Sequence, residues 1–248
     1  MGGSTENHVP AGGGFLSRRL RERFDAADLA ALEALAGEPR MLRDGERLIG
    51  RREELRRVSI LVEGYMVSSI LRDGKRFIVG VHVPGDFVDL HGFILKHLDH
   101  DVVSAGAAVV VQIDRDAIDR ISQERPDAIR ALWFATLLDA AIHRQWIRNL
   151  EALDAPQRIA HLYAELRHRL MLTGRDVGRA LRTPFTQSDL ADMCGVSAIH
   201  ANRAVARLRE LGLGEIRRGA LYIGDWAALE AYARFDPAYL YGPDAWKN

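Results

Sequence analysis

A single cysteine, Cys194, is all that the 248 residues contain. That excludes an internal disulfide and the roughly four-thiolate set of an iron–sulfur cluster, and it makes the cytoplasm the expected compartment. Long apolar runs are missing as well. Ala131 to Ile142, among the longest, is interrupted by Thr136 and Asp139 and falls short of the about 18 residues a membrane span needs, so no membrane partner is expected. The opening MGGSTENHVPAGGG lacks the basic start and apolar core of a secretion signal, and residues 1–14 read as a flexible tail. Net charge is absent too, with 34 Lys and Arg against 34 Asp and Glu. No His-x-His pair occurs, which argues against a cupin-like metal enzyme, the alternative from a different function class. What remains is an ordinary globular composition, 48% hydrophobic and 27% charged, with length enough for two domains.

The balance of charge is uneven along the chain. From Leu153 to Gly224 there are eleven Arg, no Lys and seven Asp or Glu, an excess of roughly +4 of the sign nucleic acid attracts. Within it, TQSDLADMCGVSAIHANRAVARLRELGL (Thr186 to Leu213) spells helix, glycine turn, helix. Thr186 with Asp189 forms a capping box, and Leu190, Ala191 and Cys194 give the first helix a buried face. Gly195 supplies a positive φ for the turn and Ser197 caps the second helix. Ala201, Ala204, Val205, Leu208 and Leu211 recur at helical spacing, which leaves Ile199, His200, Asn202 and Arg203 on the other face with no acid before Glu210. This is the dress of a helix entering the DNA major groove: Arg203 can fork onto guanine, Asn202 can pair with adenine, and Ile199 can touch a thymine methyl. Glu215 to Ile223 then alternates around Arg217, Arg218 and Gly219 like a hairpin wing, its two arginines placed for a phosphate backbone.

Upstream, the helical period disappears. Leu48-Ile49, Val58 to Val62, Tyr65 to Leu71, Phe77 to Val83 and Val109 to Ile113 are short β-rich runs broken at Gly45, Gly64, Asp73-Gly74 and Pro84-Gly85, the pattern of an antiparallel barrel or jelly roll. Ala26 to Leu35 reads as an amphipathic helix before it. Pro126 to Leu153 reads as a long helix after it, apolar nearly all round from Ile129 to Ile142, with Trp133, Phe134, Leu137 and Leu138 expected in one cluster. A second copy of the same helix would cover what the roll does not, which predicts a parallel homodimer.

This order of parts resembles the cyclic-AMP receptor protein and FNR (CRP/FNR) superfamily of bacterial transcription regulators, most specifically in SDLADMCGVSAIHANRAVARLRELGL, DGERLI, ILVEGYM and PGDFVDL. The resemblance implies an α+β fold: an antiparallel β-roll sensor over residues 15–125, a dimerisation helix over 126–153 and a winged helix-turn-helix over 154–248. It implies a homodimer on double-stranded DNA at an inverted repeat, with RNA polymerase as a partner and no catalysis. In this likeness Arg203 stands at the guanine-reading arginine, with Ser197, Thr186, Gln187, Arg217 and Arg218 beside the phosphates and Asn202, His200 and Ile199 tuning base choice. Family members often carry Glu where this chain has Ile199, so the half-site is expected to differ.

Other departures concern the sensor. Members that bind cyclic AMP have a Gly-Glu-Leu segment after the PGDF turn and an Arg-Ser or Arg-Thr pair further on. Here Asp89, Leu90 and His91 stand at the first place and His100 and Asp101 at the second, so the cyclic phosphate would lose its permanent cation and meet an acid. Those five residues are the effector-pocket candidates, and no cofactor is expected. His82, His91, His97 and His100 read as hydrogen-bonded or solvated groups of the roll, with a metal or haem held through His91, His97 or His100 as the alternative.

Overall fold

The computed structural model describes residues 26–217 and 219–242. The proposed tail at 1–14, the first residues of the roll domain at 15–25, Arg218 and residues 243–248 lie outside them. Helix α1 (Ala26–Ala34) leads into β1 (Arg40–Leu42), β2 (Arg47–Ile49), β3 (Arg57–Arg72) and β4 (Lys75–His82). A short helix α2 (Gly92–Leu95), strand β5 (Asp101–Asp114) and helix α3 (Arg115–Glu124) follow, and then the long helix α4 (Pro126–Ala152). The antiparallel order is β1-β5-β3-β4, with β2 also on β5.

Two strands are longer than the sequence pattern predicts. Val58 to Val62 and Tyr65 to Leu71 belong to one 16-residue strand, because Gly64 bends the chain at φ +82 without ending it and the register slips on either side of Glu63. The Val109 to Ile113 run is the end of a 14-residue strand whose Ser104-Ala-Gly-Ala-Ala stretch has little intrinsic strand preference and is recruited by pairing with β3. The Asp73-Gly74 hairpin is as the sequence predicts: Arg72 pairs with Lys75 across two residues of positive φ.

Pro126 opens the long helix at its first turn. Its apolar residues do not form one cluster: Leu138 and Phe134 pack inward, whereas Trp133 and Leu137 are 68% and 61% exposed. The reason is geometric, since one helix cannot turn residues at adjacent positions to the same side. Asp154 then caps α5 (Ala155–Met171) in a capping box with Gln157. Beyond it come β6 (Ala180–Arg182), α6 (Gln187–Cys194), α7 (Ala198–Glu210), β7 (Glu215–Arg217), β8 (Ala220–Tyr222), α8 (Trp226–Tyr232) and a 3-10 turn at Pro237–Leu240.

One apolar core fills the roll and takes in Ala128 and Leu132 of α4. A second runs from Val67, Ile78, Val81 and Val83 of the hairpin through Ile159, Tyr163 and Leu166 of α5 to Leu190, Met193, Ala204 and Leu208, joining the roll to the C-terminal unit. Arg158 fastens the end of the long helix to that unit. It donates to the carbonyls of Asn149, Leu150 and Leu153 at the C-terminus of that helix, where backbone acceptors run short of amide partners, and to the carbonyl of Cys194.

Two glycines of the roll separate strain from collision. Gly74 (φ +74) faces open space, so Gly74→Ala should cost only the left-handed penalty, about 1 kcal/mol. At Gly64 a Cβ would also run into the Ala107 carbonyl oxygen, so Gly64→Ala should cost about 3 kcal/mol. Urea denaturation of the two variants measures the difference, and equal losses would contradict it.

Candidate nucleic-acid interface and roll pocket

Local rules build the C-terminal site. The Thr186 hydroxyl accepts from Asp189 N (3.2 Å) and donates to the Asp189 carboxylate (2.7 Å), starting α6. Gly195 ends that helix at φ +64, ψ 35, and the Val196 amide reaches back to the Ala191 carbonyl at 3.0 Å. Ser197 caps α7 by accepting from His200 N (3.3 Å), and Ala201, Ala204 and Leu208 bury its inner face. The outer face carries Ile199 (66% exposed), His200, Asn202 and Arg203, all open to solvent. Arg203 makes no ion pair among the described residues, so its guanidinium is available. β7 and β8 form the wing, and β6, which the sequence did not reveal, adds a third strand on β8.

Each expected contact residue has a definite place. Gln187 is exposed in the first turn of α6. Thr186 is exposed, and the capping box holds its hydroxyl proton on the Asp189 carboxylate. His200 turns its Nδ1 back to the Ser197 hydroxyl at 3.1 Å. Arg217, at the wing, pairs with Glu215 at 3.2 Å and lies over the Tyr222 ring at 5.0 Å. Arg218 falls outside the described residues.

The five effector-pocket candidates do not form one site. Asp89 is 1% exposed, points into the roll core and accepts from Ser59 N at 2.7 Å; burial pushes its carboxyl up to about 7. Asp101 faces outward, accepting from Arg51 N (2.8 Å), because its neighbour Val102 takes the core side of β5. Leu90 and His91 do line a cavity, of about 160 Å³, between the roll and α4. The His100 ring lies 5.3 Å from that of His91, with Nδ1 on Asp99 (2.7 Å) and Nε2 unpartnered among the described residues. His97 is elsewhere, its Nδ1 on the Arg52 carbonyl. Among the described residues, no group of three or more His, Cys, Asp or Glu side chains is arranged to hold a metal ion.

The cavity's strongest charge comes from a residue that no sequence motif singles out. Arg169, from α5, enters it and pairs with Asp86 (2.6 Å) and Glu165 (3.2 Å). His82 lines it too, bonded to Ser68 Oγ at 2.9 Å, and burial depresses its imidazole to about 4. Asp86 and Asp139 border the same space. A cyclic phosphate there would meet one guanidinium already neutralised by two carboxylates, and a volume comparable to cavities that take a single benzene ring. These residues do not fit a cyclic nucleotide.

Comparison with known proteins agrees with this architecture. The family model of the cyclic nucleotide-binding domain matches residues 39–125, and that of the Crp-like helix-turn-helix domain matches residues 157–232. The chain is 26% identical over 211 residues to the nitrogen fixation regulation protein FixK of Bradyrhizobium diazoefficiens, covering 85% of this chain and 87% of that protein. To the transcriptional activator protein FnrL of Cereibacter sphaeroides it is 27% identical over 202 residues, 79% of each. The solved structure of FixK2 from Bradyrhizobium japonicum superposes with a TM-score of 0.71 at 21% identity, over 79% of this chain and 96% of that one.

His82 and Asp89 make opposite contributions to stability against pH. The His82 ring, neutral in the fold down to about 4 against an ordinary 6.5, adds stability that is present above 6.5 and lost as pH falls toward 4. His161, also depressed to about 4 by burial, acts in the same direction. Asp89, protonated up to about 7 against an ordinary 3.8, adds stability that is present below 3.8 and lost as pH rises to 7. Asp89→Asn keeps an acceptor for Ser59 N, so its stability should climb more steeply between pH 4 and 6.5 than the parent's, whereas His82→Gln should climb less. Urea midpoints at fixed pH values decide it, and three parallel curves would disprove the assignment.

Proposed function

We propose that this chain, a member of the CRP/FNR superfamily of bacterial transcription regulators, binds an inverted-repeat DNA site as a homodimer and reads each half-site with helix α7. As a DNA-binding regulator its work is reversible association. The observation that carries the reading is the outer face of α7, where Arg203 stands unpaired beside exposed Ile199 and Asn202 above a buried small-residue face. Arg203 reads a guanine, Asn202, His200 and Ile199 set base preference, and Ser197, Gln187, Arg217 and Arg218 lie along the phosphates.

The dimer reading rests on α4. Trp133, Leu137 and Ile147 are exposed large apolar residues, and with Ala140 and Arg144 they follow a 4-3-4-3 spacing, the seam of a two-stranded coiled coil. A seam on a helix that leads straight into the DNA-binding unit supports parallel copies and a two-fold site. RNA polymerase is the expected further partner and the cytoplasm the expected compartment. The roll works without a cyclic nucleotide, a reading supported by the neutralised Arg169 and the size of its cavity.

Selection from a random duplex pool should return an inverted repeat with half-site centres about one helical turn apart. Arg203→Ala should cost about 1 to 3 kcal/mol and relax one base pair, while Arg217→Ala should weaken all sequences alike and flatten the salt dependence. Equal losses on specific and random DNA for Arg203→Ala would show that it touches only phosphate. Calorimetry should detect no cyclic AMP or cyclic GMP binding at micromolar concentrations, and one-per-chain binding would sink the reading of the roll.

A further inference from the structure

A second cavity, of about 340 Å³, lies away from the roll pocket, where the β4 side of the hairpin, the end of α4, α5 and the helix-turn-helix meet. Phe77 and Val79 come from the hairpin, Trp146 and Leu150 from α4, Leu162 from α5 and Met193 from α6. We propose that it binds a small, uncharged, largely aromatic or aliphatic ligand, and that such a ligand couples the roll to the DNA-reading unit. The inference goes beyond the DNA-binding reading and its first test does not depend on it.

The chemistry of the walls selects the ligand. The charged groups at the cavity have protein partners, among them His143, whose Nδ1 lies 3.6 Å from the Asp139 carboxylate. Arg158 spends its guanidinium on four backbone carbonyls, and Asp192 is held by Arg76 at 2.9 Å. The Trp146 indole donates to Glu165, and Asn149 Oδ1 already accepts from Gln145. Burial keeps His161 uncharged and the Cys194 thiol protonated, its pKa pushed up to about 12. An ion would bring charge into this space with nothing to answer it, whereas an apolar ring would replace water against Phe77, Trp146, Leu162 and Met193. The volume exceeds that of cavities of about 150 Å³ that take one benzene ring, so a fused or linked pair of rings fits.

The position gives the ligand its leverage. Arg76 ties the hairpin to α6 at the cavity's edge, through Asp189 and Asp192, and Asp189 also belongs to the box that starts the helix-turn-helix. A ligand that touches Phe77 and Met193 together favours the arrangement in which hairpin and α6 are docked.

The test uses the full chain and N-phenyl-1-naphthylamine, an uncharged two-part aromatic probe whose fluorescence rises in apolar surroundings. The expected result is saturable binding at one probe per chain. Val79→Trp, which fills the space, should weaken it at least about tenfold, and Phe77→Ala, which removes a wall and leaves the core residues in place, at least about threefold. Met41→Ala, an exposed apolar residue on β1 away from the cavity, should leave it unchanged. Absence of saturable binding, or binding that responds to Met41→Ala and ignores both hairpin variants, overturns the site. The same titration on the DNA selected by the protein reads the coupling: a change in DNA affinity of at least about threefold is expected. Binding with DNA affinity unchanged overturns the coupling and leaves the site.

Discussion

Arg169 is a guanidinium with almost no access to water, set where the roll meets the C-terminal unit, and the relation between the two halves depends on it. Taking such an ion out of water costs several kcal/mol, which is recovered only if its partners are held in place. Asp86 is held by the Pro84-Gly85 turn and also accepts from Val83 N at 2.9 Å; Glu165 is fixed one helical turn away on α5. Glu165 in turn accepts from the Trp146 indole and the Tyr239 hydroxyl, so α4 and the C-terminal 3-10 turn join the same network. The two carboxylates outweigh the penalty of burial and raise the guanidinium pKa further. A sliding of α5 against the roll would part Arg169 from Asp86, while Glu165 moves with the guanidinium on the same helix, and the loss of that buried pair restricts the C-terminal unit to the neighbourhood of this arrangement.

The same pairing bears on the proposal that the roll works without a cyclic nucleotide. A pocket that binds a cyclic phosphate needs a cation with unspent hydrogen-bonding capacity. Here the cation arrives from the DNA-binding side of the chain, and its two terminal nitrogens are taken up by carboxylates, Nη2 by Asp86 of the roll's own turn and Nη1 by Glu165. The space left over is bordered by Asp139 and by histidines that burial keeps neutral. The roll and the C-terminal unit are thus joined at this cavity by protein charges.

What was legible in the sequence follows from distance along the chain. The capping boxes at Thr186 and Asp154, the Gly195 turn, the Ser197 cap and the Asp73-Gly74 hairpin are decided within about four residues, and each stands where its motif puts it. Strand lengths are decided by pairing partners dozens of residues away, which is why β3 and β5 outrun their hydrophobic runs and why the three-residue β6 gave no signal. Arg169 could not be found because its partner Asp86 is 83 residues distant. The five pocket candidates are divided for a related reason: position near a motif does not say which way a strand residue faces, so Leu90 and His91 line the cavity whereas Asp101 faces out.

Arg158, by holding the Cys194 carbonyl, makes the turn at Gly195 the point about which the recognition helix is hung. That helix is 13 residues long, about 20 Å, so an angular error of about 10° at the turn carries its far end about 3.4 Å, the rise of one base pair. Arg203 stands only about 7.5 Å along it, and the same error moves it by about 1.3 Å. Ile199, His200, Asn202 and Arg203, the proposed base contacts, are therefore clustered near the fulcrum, and Arg207 and Arg209 at the remote end travel furthest for the same error.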